Sequence, residues 1–175
     1  VYCELIRRYP TPVDLVTASP YDVEALIAPI GLKYRAARLQ GAARMLAKAE
    51  VPLDEEALMS IKGVGRYIAR AVTCFAYGQA VGIVDANVIR IFDRVFGLRS
   101  ARSRPHTDPL MWEAADRLVP PGKARDYNLG LLDLSALLCR PTKPLCDHCP
   151  ITVCRYHHRE AVQFAAEVPE MYGER

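Results

Sequence analysis

Capped helix starts recur along this chain, and each is followed by apolar residues at the spacing of one helix face. Ser19-Pro20-Tyr21-Asp22-Val23-Glu24 places proline just inside a start and acids in the first turn. A helix is predicted from about Tyr34 to Ala49, with Leu39, Ala42, Ala43 and Leu46 on one stripe. Asp54 reads as the N-cap of a short helix over 54–60, and another helix runs from Arg66 to about Ala76. Asp85 precedes a helix over 86–96, where Val88, Ile91, Phe92 and Val95 share a face. Thr107-Asp108-Pro109 opens a helix that stops near Pro120-Pro121-Gly122, and Leu129, Leu132, Ala136 and Leu137 mark a last one. No run alternates as a strand between hairpin turns would, and no internal repeat is present. The expected fold is all-α.

The 175 residues suffice for one ordinary domain or two small lobes. Apolar residues make up 51% and charged residues 25%, which excludes disordered and collagen-like chains. No apolar run reaches the roughly 20 residues that span a bilayer. The start, Val1 to Pro10, is interrupted by Glu4, Arg7 and Arg8, so it is not a signal peptide; it reads as a helix entered partway. A net charge of +3 is too small to argue for nucleic acid alone.

Three local patterns carry chemistry. The first is Ile61-Lys62-Gly63-Val64-Gly65-Arg66, between two short helices. A Gly-x-Gly turn tolerates positive φ and close approach of a ligand, and the helix that follows favours an anion at its N-terminus. Lys62, Gly63, Val64, Gly65 and Arg66 are therefore candidates for holding a nucleic-acid phosphate without regard to base sequence. The same hexapeptide also suits an ordinary αα-hairpin. It is not a P-loop, since the spacing differs and no strand precedes it.

The second is Val84-Asp85-Ala86-Asn87. Asp85 fits an N-cap, and a carboxylate kept ionised by a helix start could also stabilise an oxocarbenium-like sugar cation or guide a water. The third is Cys139-x6-Cys146-x2-Cys149-x4-Cys154. Four thiolates can close a zinc site or hold a [4Fe–4S] cluster, and spacing alone does not separate these; a set of unligated thiols is the third option. His148, His157 and His158 lie close by. Cysteines packed at one end of a chain argue for a reducing compartment rather than a disulfide framework.

Together these patterns resemble the helix-hairpin-helix (HhH-GPD) DNA glycosylase superfamily, in its iron–sulfur branch with endonuclease III and the adenine glycosylases. The likeness covers roughly Tyr9 to Tyr156. It includes Tyr9-Pro10-Thr11-Pro12-Val13-Asp14-Leu15, Leu58-x-x-Ile61-Lys62-Gly63-Val64-Gly65-Arg66-Tyr67, Val84-Asp85-Ala86-Asn87, Asn128-Leu129-Gly130-Leu131-Leu132-Asp133-Leu134 and the cysteines. The resemblance implies two helical lobes, one over 22–120 with the hairpin at about 54–76, the other formed by 1–21 and 121–158, with a tail over 159–175. Two departures stand out. The family's last cysteine gap is x5 where this chain has x4. Its longer N-terminal segment, which in adenine glycosylases carries a catalytic glutamate, has no counterpart in this sequence.

The resemblance implies an enzyme that hydrolyses the N-glycosidic bond of a mismatched base in double-stranded DNA. Asp85 would be the catalytic carboxylate. Bifunctional relatives carry a lysine at the position of Tyr67, and a phenol forms no imine, so a monofunctional enzyme without lyase activity is expected. Packing is the other role open to Tyr67. Tyr67 with Val84-Asp85-Ala86-Asn87 looks most like glycosylases acting on thymine or uracil opposite guanine. Adenine glycosylases, and a DNA-binding module without chemistry, are the alternatives. Asn87 and Asn128 would be polar groups of the base pocket, Arg99, Arg102 and Arg104 would assist on DNA, and Cys139, Cys146, Cys149 and Cys154 would hold a [4Fe–4S] cluster, with zinc as the alternative. A monomer is expected, with no membrane partner, located with DNA in a prokaryotic cytoplasm or a nucleus.

Overall fold

A computed structural model describes residues 1–48 and 51–157. The expected helix end at Ala49, His158 and the tail over 159–175 lie outside the described residues. Those described residues contain helices, turns and loops, and no strand. No helix among them is long and apolar enough to cross a membrane. The chain divides into two compact units with the break between Gln79 and Ala80, a point that falls inside the expected 22–120 lobe.

The first unit begins with α1 (Tyr2–Arg8), α2 (Pro12–Thr17) and α3 (Pro20–Ile27). Helix α2 starts with a capping box, in which the Thr11 hydroxyl accepts the Asp14 amide while the Asp14 carboxylate accepts the Thr11 amide. Helix α4 (Ala36–Leu46) follows a turn of 3-10 helix over Lys33–Arg35, so the expected start at Tyr34 is a tighter turn leading into the helix. The α4 stripe serves two clusters. Leu39 packs toward Val23, Ile27 and Ala36, while Ala42 and Leu46 pack toward Leu58, Ile61 and Ala69. Gln40 is buried on this helix and donates to the Leu15 and Ala18 carbonyls at 3.2 and 2.8 Å, tying α2 to α4.

Helices α5 (Glu55–Met59) and α6 (Arg66–Phe75) flank the glycine-rich turn. Asp54 caps α5 by accepting the Ala57 amide at 2.8 Å, as expected from sequence.

The second unit contains α7 (Ala86–Phe96), α8 (Pro109–Leu118) and α9 (Ala124–Leu137). Its core gathers Val84, Val88 and Phe92 against Met111, Trp112 and Ala115. Asp108 caps α8, and Gly97 ends α7 in the left-handed conformation at φ 72°. A turn over Cys146–His148 leads through the remaining cysteines.

Candidate active site

The hairpin belongs to the first unit. The Val64 amide closes the turn on the Ile61 carbonyl at 2.9 Å. Gly63 has φ 96°, a backbone state that L side chains rarely adopt, and the Arg38 side chain lies 3.4 Å from where a Cβ would stand. Gly65 is different: its φ of −96° is ordinary, and a Cβ there would meet nothing within 4 Å. Gly65 is the N-cap of α6 and offers no side chain to the helix start, leaving open space above it. Lys62 is exposed beside the turn.

Arg66, expected to face phosphate, donates through Nε to Glu55 at 2.6 Å. Glu55 also takes the buried Arg70 at 3.1 Å, so one carboxylate ties the two hairpin helices together. Tyr67 sits in the first turn of α6 with 37% of its surface exposed.

Asp85, Asn87, Asn128 and the four cysteines belong to the second unit. The extended start of Asp85 (φ −129°, ψ −175°) turns its carboxylate onto the first turn of α7. Its Oδ1 accepts the Asn87 and Val88 amides, each at 2.8 Å, and its Oδ2 accepts the Asn87 side-chain amide at 2.8 Å. Both oxygens are thereby fixed in direction. Asn87 Oδ1 accepts from Arg90 at 3.1 Å, and Arg90 reaches on to the Cys139 carbonyl at 3.0 Å. A hydrogen-bonded chain thus joins Asp85 to the first cysteine.

Asn128 has a different place from the expected one. It is fully buried, and its amide bonds three backbone groups: Nδ2 donates to the Val81 and Ala124 carbonyls, both at 2.9 Å, while Oδ1 accepts the Ile83 amide at 3.0 Å. The carboxylate of Asp116 accepts the neighbouring Gly82 amide at 2.9 Å. A Cβ on Gly82 would come within 2.5 Å of the Ala115 backbone, so only glycine lets this strap lie so close to α8. Asn128 therefore holds the segment that delivers Asp85, and does so from within the core rather than from a pocket wall.

An open cavity of about 520 Å3 lies beside Asn87, with Ser135, Thr142, Arg140 and Lys143 in its wall. The basic loop is tied down locally, since Arg99 pairs with Asp93 at 2.6 Å and Arg102 donates to the Thr107 carbonyl at 2.7 Å.

The four cysteines line one small cavity, together with Leu134, Leu138, Pro144, Leu145 and Ile151. Partial burial pushes the Cys146 thiol up, helped by the thiols of Cys154, Cys139 and Cys149 around it. Among the described residues, no three His, Cys, Asp or Glu side chains converge on a point where a single ion would sit.

The sequence reading missed Arg90, Arg94 and Asp116. The spacing of Asn87, Arg90 and Arg94 places all three on one side of α7, and that polar stripe was the available signal.

Residues 1–117 match the family model described as HhH-GPD superfamily base excision DNA repair protein. The chain belongs to the HhH-GPD superfamily. Within it, a thymine-DNA glycosylase of Aeropyrum pernix is 41% identical over 167 residues, covering 91% of this chain and 75% of that protein. An adenine DNA glycosylase of Rattus norvegicus is 36% identical over 163 residues, covering 90% of this chain and 32% of that one. The solved structure of a thermostable thymine-DNA glycosylase superposes with a TM-score of 0.81 at 36% identity, covering 90% of this chain and 75% of the other. The α5–α6 pair and its glycine turn fall within the matched residues.

Proposed function

We propose that this chain is a monofunctional DNA glycosylase that hydrolyses the N-glycosidic bond of thymine or uracil opposite guanine and leaves an abasic site. The observation that carries the reading is Asp85, a carboxylate fixed at both oxygens by three donors at the start of α7. As the base departs, the sugar becomes cation-like, and a carboxylate already held in place stabilises it without reorganisation. Asp85 also orients the water that completes the hydrolysis. Tyr67 lines the base site, and its phenol cannot form the imine that strand cleavage requires. Asn87 orients Asp85, and Asn128 positions the strap before it.

The turn takes a DNA phosphate on the Gly63 and Gly65 backbone N–H groups in the open space above Gly65, with Val64 closing the turn on Ile61 and Lys62 adding charge. Arg66 acts there through its bond to Glu55. The mismatched base leaves the stack to react, at lower cost than a paired one. DNA is the partner and the chain acts as a monomer.

Cys139, Cys146, Cys149 and Cys154 would hold a [4Fe–4S] cluster. Four thiols around one cavity fit a group that takes one thiolate per iron, with zinc as the alternative. A cluster held by these residues would brace the loop of Arg140 and Lys143, and the chemistry of base removal rests on Asp85.

Removal of adenine is the second reading, favoured by the 36% identity to the rat adenine DNA glycosylase. Incubation with G:T, G:U, G:A and oxidised-guanine:A duplexes, with and without hot alkali, separates the two. Alkali-dependent cleavage at T or U is expected. Cleavage at A alone assigns the adenine reading, and tight binding without cleavage at any pair leaves a non-catalytic module.

A further inference from the structure

The two ends of the cysteine loop meet at a single residue of α7. Arg94 NH1 donates to the Arg140 carbonyl at 2.7 Å and lies 3.4 Å from both the Cys139 carbonyl and Cys139 Sγ, while NH2 donates to the Pro141 carbonyl at 2.9 Å. On the other side, the Arg94 carbonyl accepts the Tyr156 amide at 2.8 Å and stands 3.5 Å from Cys154 Sγ. The Tyr156 ring packs 4.8 Å from the same guanidinium, and the Arg155 amide bonds the Val95 carbonyl at 3.2 Å.

We infer that Arg94 is the clamp that closes the four-cysteine loop around its cofactor, holding Cys139 through its side chain and the Cys154 end of the loop through its carbonyl, which accepts the Tyr156 amide. The inference rests on the proposed metal-binding role of the cysteines. It explains how the short x4 gap still brings Cys154 to the group: the residues after it pair with the end of α7. A planar guanidinium reaches three successive carbonyls and a sulfur at once, which a lysine ammonium cannot. It also places a positive charge beside a ligand thiolate. Outer contacts of this kind orient metal ligands, and hydrogen bonds to ligand sulfur tune a cluster's potential.

The test compares the parent with Arg94→Met and Arg94→Lys for iron per chain, the rate of iron loss to a chelator, and the midpoint potential. Arg94→Met is expected to hold iron about 10-fold less well. Its potential falls, because the reduced, more negative cluster loses a nearby cation. Arg94→Lys keeps the charge and so recovers much of the potential, while still releasing iron faster than the parent. A passive packing role moves neither the potential nor its recovery by lysine. Parent-like iron retention and potential in Arg94→Met overturn the clamp; if that variant is insoluble, parent-like iron loss in Arg94→Lys does so. A parent that binds zinc defeats the cluster reading, and zinc release from the same variants then judges the clamp separately. A parent that binds no metal overturns both.

Discussion

The side-chain oxygen of Asn128 accepts the Ile83 amide at 3.0 Å, across 45 residues of sequence. Ile83 lies two residues before Asp85, so a core amide on α9 fixes the path by which the carboxylate reaches α7. Replacing it leaves a buried amide and two carbonyls without their partner, at about 1–3 kcal/mol for such a group. Asn128→Ala is expected to lower the thermal midpoint and to slow base excision at saturating DNA, with DNA affinity little changed. A thermal melt beside single-turnover kinetics checks this; unaltered stability contradicts the buried role.

Gly63 is the turn position that needs its missing Cβ. Gly63→Ala forces an L side chain to φ 96° against Arg38, and the left-handed strain alone is about 1–2 kcal/mol. Duplex affinity is expected to fall about 10-fold for matched and mismatched DNA alike, since a phosphate contact carries no base identity. Equal affinity of variant and parent in a titration would remove the hairpin from the DNA-binding surface.

Much of the architecture was legible because local signals agreed. Asp85 as N-cap and Val88, Ile91, Phe92 and Val95 at helical spacing fix α7 to the residue. Helix α2 escaped as an element because it has six residues and buries none of them; its Thr11–Asp14 box and Pro12 at the first helical position were the local cues. Asn128 read as a pocket group because its partners at Val81 and Ile83 are far away in sequence, and burial of one polar side chain leaves no periodic trace. The pairing of Arg66 with Glu55 across the hairpin was not legible, because nothing in the hexapeptide shows Glu55.

Tyr67→Lys puts an amine where the superfamily's bifunctional members carry one. The variant is expected to gain strand cleavage and to be trapped on mismatched DNA by borohydride, which the parent is not. Absence of any covalent product from a variant that still removes the base argues that residue 67 does not face the sugar.

Asp108 titrates below the usual carboxylate range, first because the Ser100 hydroxyl donates to it and second because the Leu110 amide does. A lowered folded pKa means that its capping contribution to α8 is complete above the ordinary carboxylate pKa and is lost as pH falls through the Asp108 value. Ser100→Ala removes the larger cause, so the Asp108 midpoint is expected to move up toward the ordinary range in an NMR titration. An unmoved midpoint would show that the Leu110 amide suffices.

In the proposed reaction Asp85 drives hydrolytic release of the base. Asp85→Asn keeps the shape and removes the charge, so single-turnover excision on the preferred mismatch, measured beside DNA affinity, isolates the chemistry. The predicted result is a loss of about 100- to 1,000-fold in excision rate, the scale expected for removing a preorganised electrostatic group, with affinity within a few-fold of the parent. Excision at a near-parent rate would show that the Asp85 charge does not drive base release.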